Sequence, residues 1–169
     1  MDGMNTPHKE VQAKLAGDGQ IFFKIKESKA FFVLERDTEG KAVNHGQFTL
    51  YLDVIALQAT LYIPTTLASG KKPTGFVYQI EGTAPGQIST TEVSCKGEGV
   101  SQVTLGTLLY TKIPQGKTAS FRIFVDMKGS LNKTYKVVIN RINYKFDPSD
   151  ARYKKFDVSI ATKTLTFKD

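Results

Sequence analysis

Gly116-Lys117-Thr118 is the stretch of this chain that comes nearest to a phosphate-binding loop. Such a loop needs a further glycine five residues earlier and a helix after the threonine, because backbone N–H groups and the helix N-terminus together cradle the phosphates. Position 111 is Thr111, and an alternating, strand-like segment follows Thr118. Gly97-Glu98-Gly99 likewise lacks the third glycine and the strand-to-helix setting of a dinucleotide fingerprint, and reads as a flexible turn. Neither segment has the partners its chemistry requires.

The titratable residues are as sparse. His8 and His45 have no carboxylate or cysteine at metal-ligand spacing beside them, and no serine–histidine–acid or cysteine–histidine set can be assembled from the spacing. Glu35, Asp37 and Glu39, and separately Asp147 and Asp150, are close enough to contribute to a calcium loop. That ion takes six to eight oxygens, so these groups read as solvated turn carboxylates. Cys95 is the only cysteine, which excludes an intrachain disulfide and a thiol cluster. Beside Lys96 it could be a reactive thiolate, but no base is in evidence and it reads as a small buried apolar group. Asn132-Lys133-Thr134 is a glycosylation sequon only in a eukaryotic secretory setting. The expectation is a protein with no catalytic residues, no cofactor and no metal.

Charge points to partners more than to chemistry. Lys and Arg number 23 against 16 Asp and Glu, a net charge of +7, which favours anionic polymers or acidic proteins. The excess is scattered (Lys24, Lys26, Lys29, Lys71, Lys72, Lys117, Lys136), with a modest cluster at Lys145, Arg152, Lys154 and Lys155, as expected of solvated strand faces and charged edge strands. Exposed tyrosines and lysines such as Tyr51, Tyr62, Lys71 and Lys72 are candidate contacts for a glycan or another anionic polymer. Rings and cations also interleave at Arg141, Tyr144, Lys145, Phe146, Tyr153, Lys154, Lys155 and Phe156. Single-stranded nucleic acid is bound by that combination, and a half-buried strand with outward lysines gives the same string, so nucleic acid stands as a third reading.

These residues must be positioned by strands. From Gln20 onward the chain has period two, or short apolar runs broken by turn residues. Ile21–Ile25 and Phe31–Leu34 flank the polar residues Lys26–Lys29 and suggest a hairpin. Its pairs Phe22-Phe23 and Phe31-Phe32 put rings on both faces, since neighbouring strand side chains point to opposite sides. One face is surplus to a single core and is either covered by the N-terminal arm or exposed as an interface, which makes Phe22, Phe23, Phe31 and Phe32 candidate interface residues.

Phe48, Leu50, Leu52 and Val54 alternate with Thr49, Tyr51 and Asp53, the pattern of a half-buried strand, and Leu61 and Ile63 run to Pro64. Residues 75–81 form a further strand, while 94–106 has no clear pairing. Phe121, Ile123, Val125 and Met127 give the clearest alternation; Tyr135–Phe146 follows after the turn Gly129–Asn132, and the two read as a second hairpin. Phe156–Phe167 supplies one or two closing strands. Residues 1–17 differ: Thr6 can cap, Pro7 suits a first helical position, and Val11 and Leu15 lie four apart, so this is an N-terminal arm or short helix ahead of a β domain spanning 18–169. Such an arm either frays or docks Val11 and Leu15 on a neighbour.

The order of features between Phe48 and Tyr144 resembles the immunoglobulin-like β-sandwich modules of bacterial surface proteins and phage virion proteins. The carrying segments are residues 48–54 (FTLYLDV), 61–64 (LYIP), 77–81 (VYQIE), 113–121 (IPQGKTASF) and 135–139 (YKVVI). The chain departs from the antibody pattern in having no tryptophan and no cysteine pair. The resemblance implies an antiparallel β-sandwich with a non-enzymatic structural, assembly or adhesion role at a virion or cell surface, through protein partners or self-assembly. The chain as given shows no signal peptide and no apolar run of the ~20 residues that span a bilayer, so no membrane insertion is expected.

Overall fold

The computed structural model of the chain describes residues 13–16, 21–65 and 75–168. Twelve strands are present there: β1 (Ala13–Ala16), β2 (Ile21–Arg36), β3 (Ala42–Ala56), β4 (Leu61–Pro64), β5 (Phe76–Gly82), β6 (Gln87–Lys96), β7 (Ser101–Leu105), β8 (Leu108–Ile113), β9 (Thr118–Lys128), β10 (Thr134–Tyr144), β11 (Lys154–Ala161) and β12 (Leu165–Thr166). No helix occurs among the described residues. All pairings are antiparallel, in the order β1–β2–β3–β9–β6 for one layer.

The second layer is centred on β10, which has β5 along one edge and β11 and β12 along the other. Three more strands, β4–β8–β7, are joined to it where Tyr62 and Lys145 exchange backbone hydrogen bonds of 2.8 and 2.9 Å. At that point β4 takes over from β5 as the neighbour of the β10 chain.

Alternation builds the core. Phe48, Leu50, Leu52, Val54 and Ala56 of β3, with Ala119, Phe121, Ile123, Val125 and Met127 of β9, are buried, and the residues between them are less so. They face Phe76 and Tyr78 of β5 and Tyr135, Val137 and Ile139 of β10 within one apolar cluster. Rings meet across the layers: Phe76 lies edge-on to Phe121 at 5.0 Å, Phe23 stacks on Phe156 at 5.4 Å, and Phe32 contacts Phe167 at 5.2 Å. Each such side chain contributes about 1.5–3 kcal/mol on burial, so no cross-link is needed to offset the ordering of the chain.

Phe167 closes one end of the sandwich. It is fully buried, its ring packs on Tyr135 at 4.8 Å, and its backbone is tied on both sides by bonds to Asn132 and Lys133. Gly46 and Gly129 make room for it: a Cβ on either would come within 2.7 Å of the Phe167 ring.

Three expectations are corrected. Lys26–Lys29 is not a turn. Residues 21–36 are one continuous strand, and the polar stretch holds a β-bulge at Lys26, where the pair Ile25–Leu52 is followed by Glu27–Tyr51. The extra residue resets the alternation, so Phe23 and Phe32 both point inward although they are nine residues apart. The true reversal is at Asp37–Gly40, where Asp37 Oδ1 accepts from the N–H groups of Glu39 and Lys41 and Gly40 takes a φ of 80°.

Second, β9 and β10 are not a hairpin. β9 pairs with β3 and β6, whereas β10 pairs with β5, β11 and β12, so the chain crosses between the layers at Gly129–Lys133. Two alternating strands bury the same residues whether they lie side by side or face each other, and alternation alone does not separate the two. Asn132, at a φ of 61°, and the hydrogen bond from Ser130 N–H to the Tyr135 hydroxyl at 2.9 Å shape the crossing.

Third, Ala13–Ala16 is a strand paired with β2, Leu15 opposite Phe22, rather than the end of a helix. Val11 and the remainder of that expectation lie outside the described residues. The unassigned stretch 94–106 becomes the end of β6, a turn and β7.

Candidate binding groove

The outward residues of four strands line up in rows across the first layer. One row reads Lys24, Asp53, Ser120, Lys96 from β2 through β3 and β9 to β6, and the next reads Glu27, Tyr51, Arg122, Ser94. Beyond them come Lys29, Thr49, Phe124, Glu92, and then Phe31, Gln47, Asp126, Thr90. Over the first two rows lies a groove of about 750 Å³, whose polar lining includes Lys26, Tyr51, Asp53, Lys96, Ser120 and Arg122. The bulge at Lys26 brings that ammonium to its margin.

Contacts within the face fix some of these groups. Ser120 Oγ donates to Asp53 Oδ1 at 2.7 Å, and Lys26 Nζ stands 3.5 Å from the other carboxylate oxygen. Lys29 lies over the Tyr51 ring at 5.7 Å and Arg122 over Phe124 at 5.2 Å. His45 Nδ1 and Asp126 Oδ1 are 2.8 Å apart, and Gln47 donates to the other Asp126 oxygen at 3.4 Å. Ion pairs at a solvent-facing surface each add about 0–1 kcal/mol, and the Lys26 ammonium, about half exposed, belongs to that class.

The sequence-nominated residues are dispersed. Tyr51 lines the groove. Tyr62 lies between the buried Leu61 and Ile63 and so looks out from the opposite layer; it cannot share one ligand surface with Tyr51. Lys71 and Lys72 lie outside the described residues. Phe23 is buried and Phe32 packs on the core, while Phe22 is half-buried and Phe31 is exposed. Lys96, Ser120, Arg122 and Asp53 were not singled out from sequence. Each strand's parity was visible there, but the register that places them in adjacent rows was not.

The interleaved string at residues 141–156 is largely consumed inside the fold. Lys145 is 7% exposed, its ammonium donates to the Asp150 carbonyl, and it lies 4.4 Å from the Tyr153 ring and 6.0 Å from that of Tyr110. The two tyrosine hydroxyls meet at 2.9 Å, and burial together with this contact raises the Tyr153 phenol above its ordinary value. Tyr144 is buried against Phe146, and Phe156 stacks on Phe23. Rings so engaged are not free to stack on bases.

The acidic loop residues serve turns. Asp147 Oδ1 accepts from the Ser149 N–H and hydroxyl at 2.9 and 2.8 Å, which holds its carboxyl below the usual range. Among the described residues no three His, Cys, Asp or Glu side chains gather as a metal set, and no helix is long and apolar enough to cross a membrane.

Burial pushes the Cys95 thiol up to about 11, against a smaller opposing effect of the Thr111 hydroxyl. The thiol therefore stays protonated near neutrality, and a disulfide reagent at pH 8 is expected to label the folded chain far more slowly than the chain in guanidinium. Because the folded chain holds this proton more tightly than the unfolded one, the stabilising contribution is whole below about pH 9 and is lost as pH rises through about 11. Urea midpoints measured from pH 8 to 11 should fall, and less steeply in Cys95→Ala.

No protein-family model matches this chain, and no curated protein matches it.

Proposed function

We propose that the protein is a non-enzymatic, immunoglobulin-like β-sandwich module of a virion or bacterial surface assembly, and that it works by protein–protein contact through the edge of β2 that faces away from β3. The observation that carries this reading is at that edge. β1 pairs with β2 only as far as Lys24, and from Ile25 to Arg36 no described strand lies on the side away from β3. Edge strands of isolated domains are normally short or blunted by charge and proline. This one has charges and a bulge over Lys26–Lys29, but beyond them it carries Phe31, 59% exposed, and Leu34, 45% exposed.

The occupant is a second copy of the same strand. An antiparallel pairing centred on Phe32 keeps outward residues opposite outward residues, sets Lys29 against Glu35 twice, and sets Phe31 against Val33. Light scattering of the full chain over a concentration series should show a dimer that Phe31→Asp reverts to monomer. The substituted residue is exposed, so stability should move by no more than about 0.5 kcal/mol. A strict monomer at high concentration counts against the reading.

A second reading, an adhesion module for a carbohydrate or another anionic polymer, is favoured by the groove around Tyr51.

A further inference from the structure

We infer that the groove on the outer face of the first layer binds an acidic oligosaccharide, one bearing uronate carboxylates, with Lys96 and Arg122 as the anion contacts and Tyr51 as the platform for a sugar ring. The inference rests on the second reading above and names its ligand; it does not depend on pairing at the β2 edge.

Cations and acids are arranged unequally here. Lys26 and Asp53 neutralise each other at 3.5 Å, with Ser120 holding the second carboxylate oxygen. Lys96 makes no ion pair among the described residues, and Arg122 meets Glu92 only at 3.8 Å. Two cations on adjacent rows, with Ser94 between them on the register, therefore face the groove with their charge largely uncompensated. A carboxylate entering there gains charge-assisted hydrogen bonds without breaking a short ion pair.

The rest of the lining selects against a nucleic acid. Base stacking along a strand needs a succession of exposed rings, and the groove offers Tyr51 alone. Glu27, more than half exposed, stands opposite Tyr51 on the register and can accept from sugar hydroxyls, while the anion contacts Arg122 and Lys96 lie beyond Tyr51 on β9 and β6. Ser94 and the Tyr51 hydroxyl add groups that can both give and accept, and Ser120, which donates to Asp53, can still accept. Four strands span roughly 14 Å, which accommodates a few sugar rings laid across them.

The test is calorimetric titration of the full chain with an oligogalacturonate, alongside a neutral maltooligosaccharide of equal length and a single-stranded DNA. The uronate should bind saturably, with affinity that falls as salt is added. Lys96→Ala, Arg122→Gln and Tyr51→Ala should each weaken it roughly tenfold or more, as expected for the loss of one charged or stacking contact. Lys112→Ala, on the other layer, should leave it unchanged. Circular dichroism and scattering on the same variants separate loss of the site from loss of the fold or of association. Equal binding of the neutral sugar would overturn the acidic ligand while leaving the adhesion reading in place. Tighter binding of DNA, no binding of any probe, or uronate binding indifferent to the three substitutions would overturn the site itself.

Discussion

Phe167→Ala is expected to lower the unfolding free energy by about 3–5 kcal/mol, the range for removing a fully buried aromatic ring. The effect should lie at the top of that range because the ring is held on several sides at once, by Phe32, by Tyr135 and by the two glycines that make room for it. Urea unfolding followed by tyrosine fluorescence would measure it. Gly46→Ala should also destabilise, since its methyl would come within 2.7 Å of the ring. In the double variant that clash has no partner, so the combined loss should be smaller than the sum of the two. Additive losses would show that Gly46 matters for its backbone and not for the slot.

The second large effect is expected at the caged lysine. Tyr110→Ala should cost about 3–5 kcal/mol, because a buried ring is lost and the Lys145 ammonium is uncovered. Tyr110→Phe removes only the hydroxyl that meets Tyr153 and should cost about 0.5–1.5 kcal/mol. Lys145→Met keeps the apolar stem and deletes the charge, and buried charges replaced by apolar groups of similar volume often cost little. A near-neutral result there, against a large one for Tyr110→Ala, would assign the stability of the cage to its rings.

The raised Tyr153 phenol gives the cage a pH signature. A folded chain that holds this proton more tightly than the unfolded chain keeps the full contribution below the ordinary tyrosine value, and loses it as the solution becomes strongly alkaline. Tyr153→Phe should flatten that alkaline loss in the same unfolding series.

Local patterns were legible wherever one strand face is buried. Phe48 to Val54 and Phe121 to Met127 announce their inward sides by alternation, and both are buried as that alternation requires. The bulge at Lys26 defeated the same rule, because four polar residues look alike whether the chain turns or merely slips by one. Length of the partner strand decides between them, and β3 runs unbroken past the site. For the groove, Tyr51 was visible as a half-exposed ring, whereas Lys96 and Arg122 were two among many scattered cations.

By itself, then, the order of residues determined an all-β character, the inward face of several strands, and the mismatch of Gly116-Lys117-Thr118 with the glycine spacing of a phosphate loop, since each depends on neighbours within about ten positions. Only the tertiary structure decided which strands face each other across the core. It placed β9 and β10 in opposite layers, set Lys96 beside Ser120 and Arg122 beside Tyr51, and left no described strand beside β2 on the side away from β3 beyond Lys24. The physical reason is that burial is satisfied equally by many pairings of the same apolar rows, while register is settled by interactions between residues far apart in the chain.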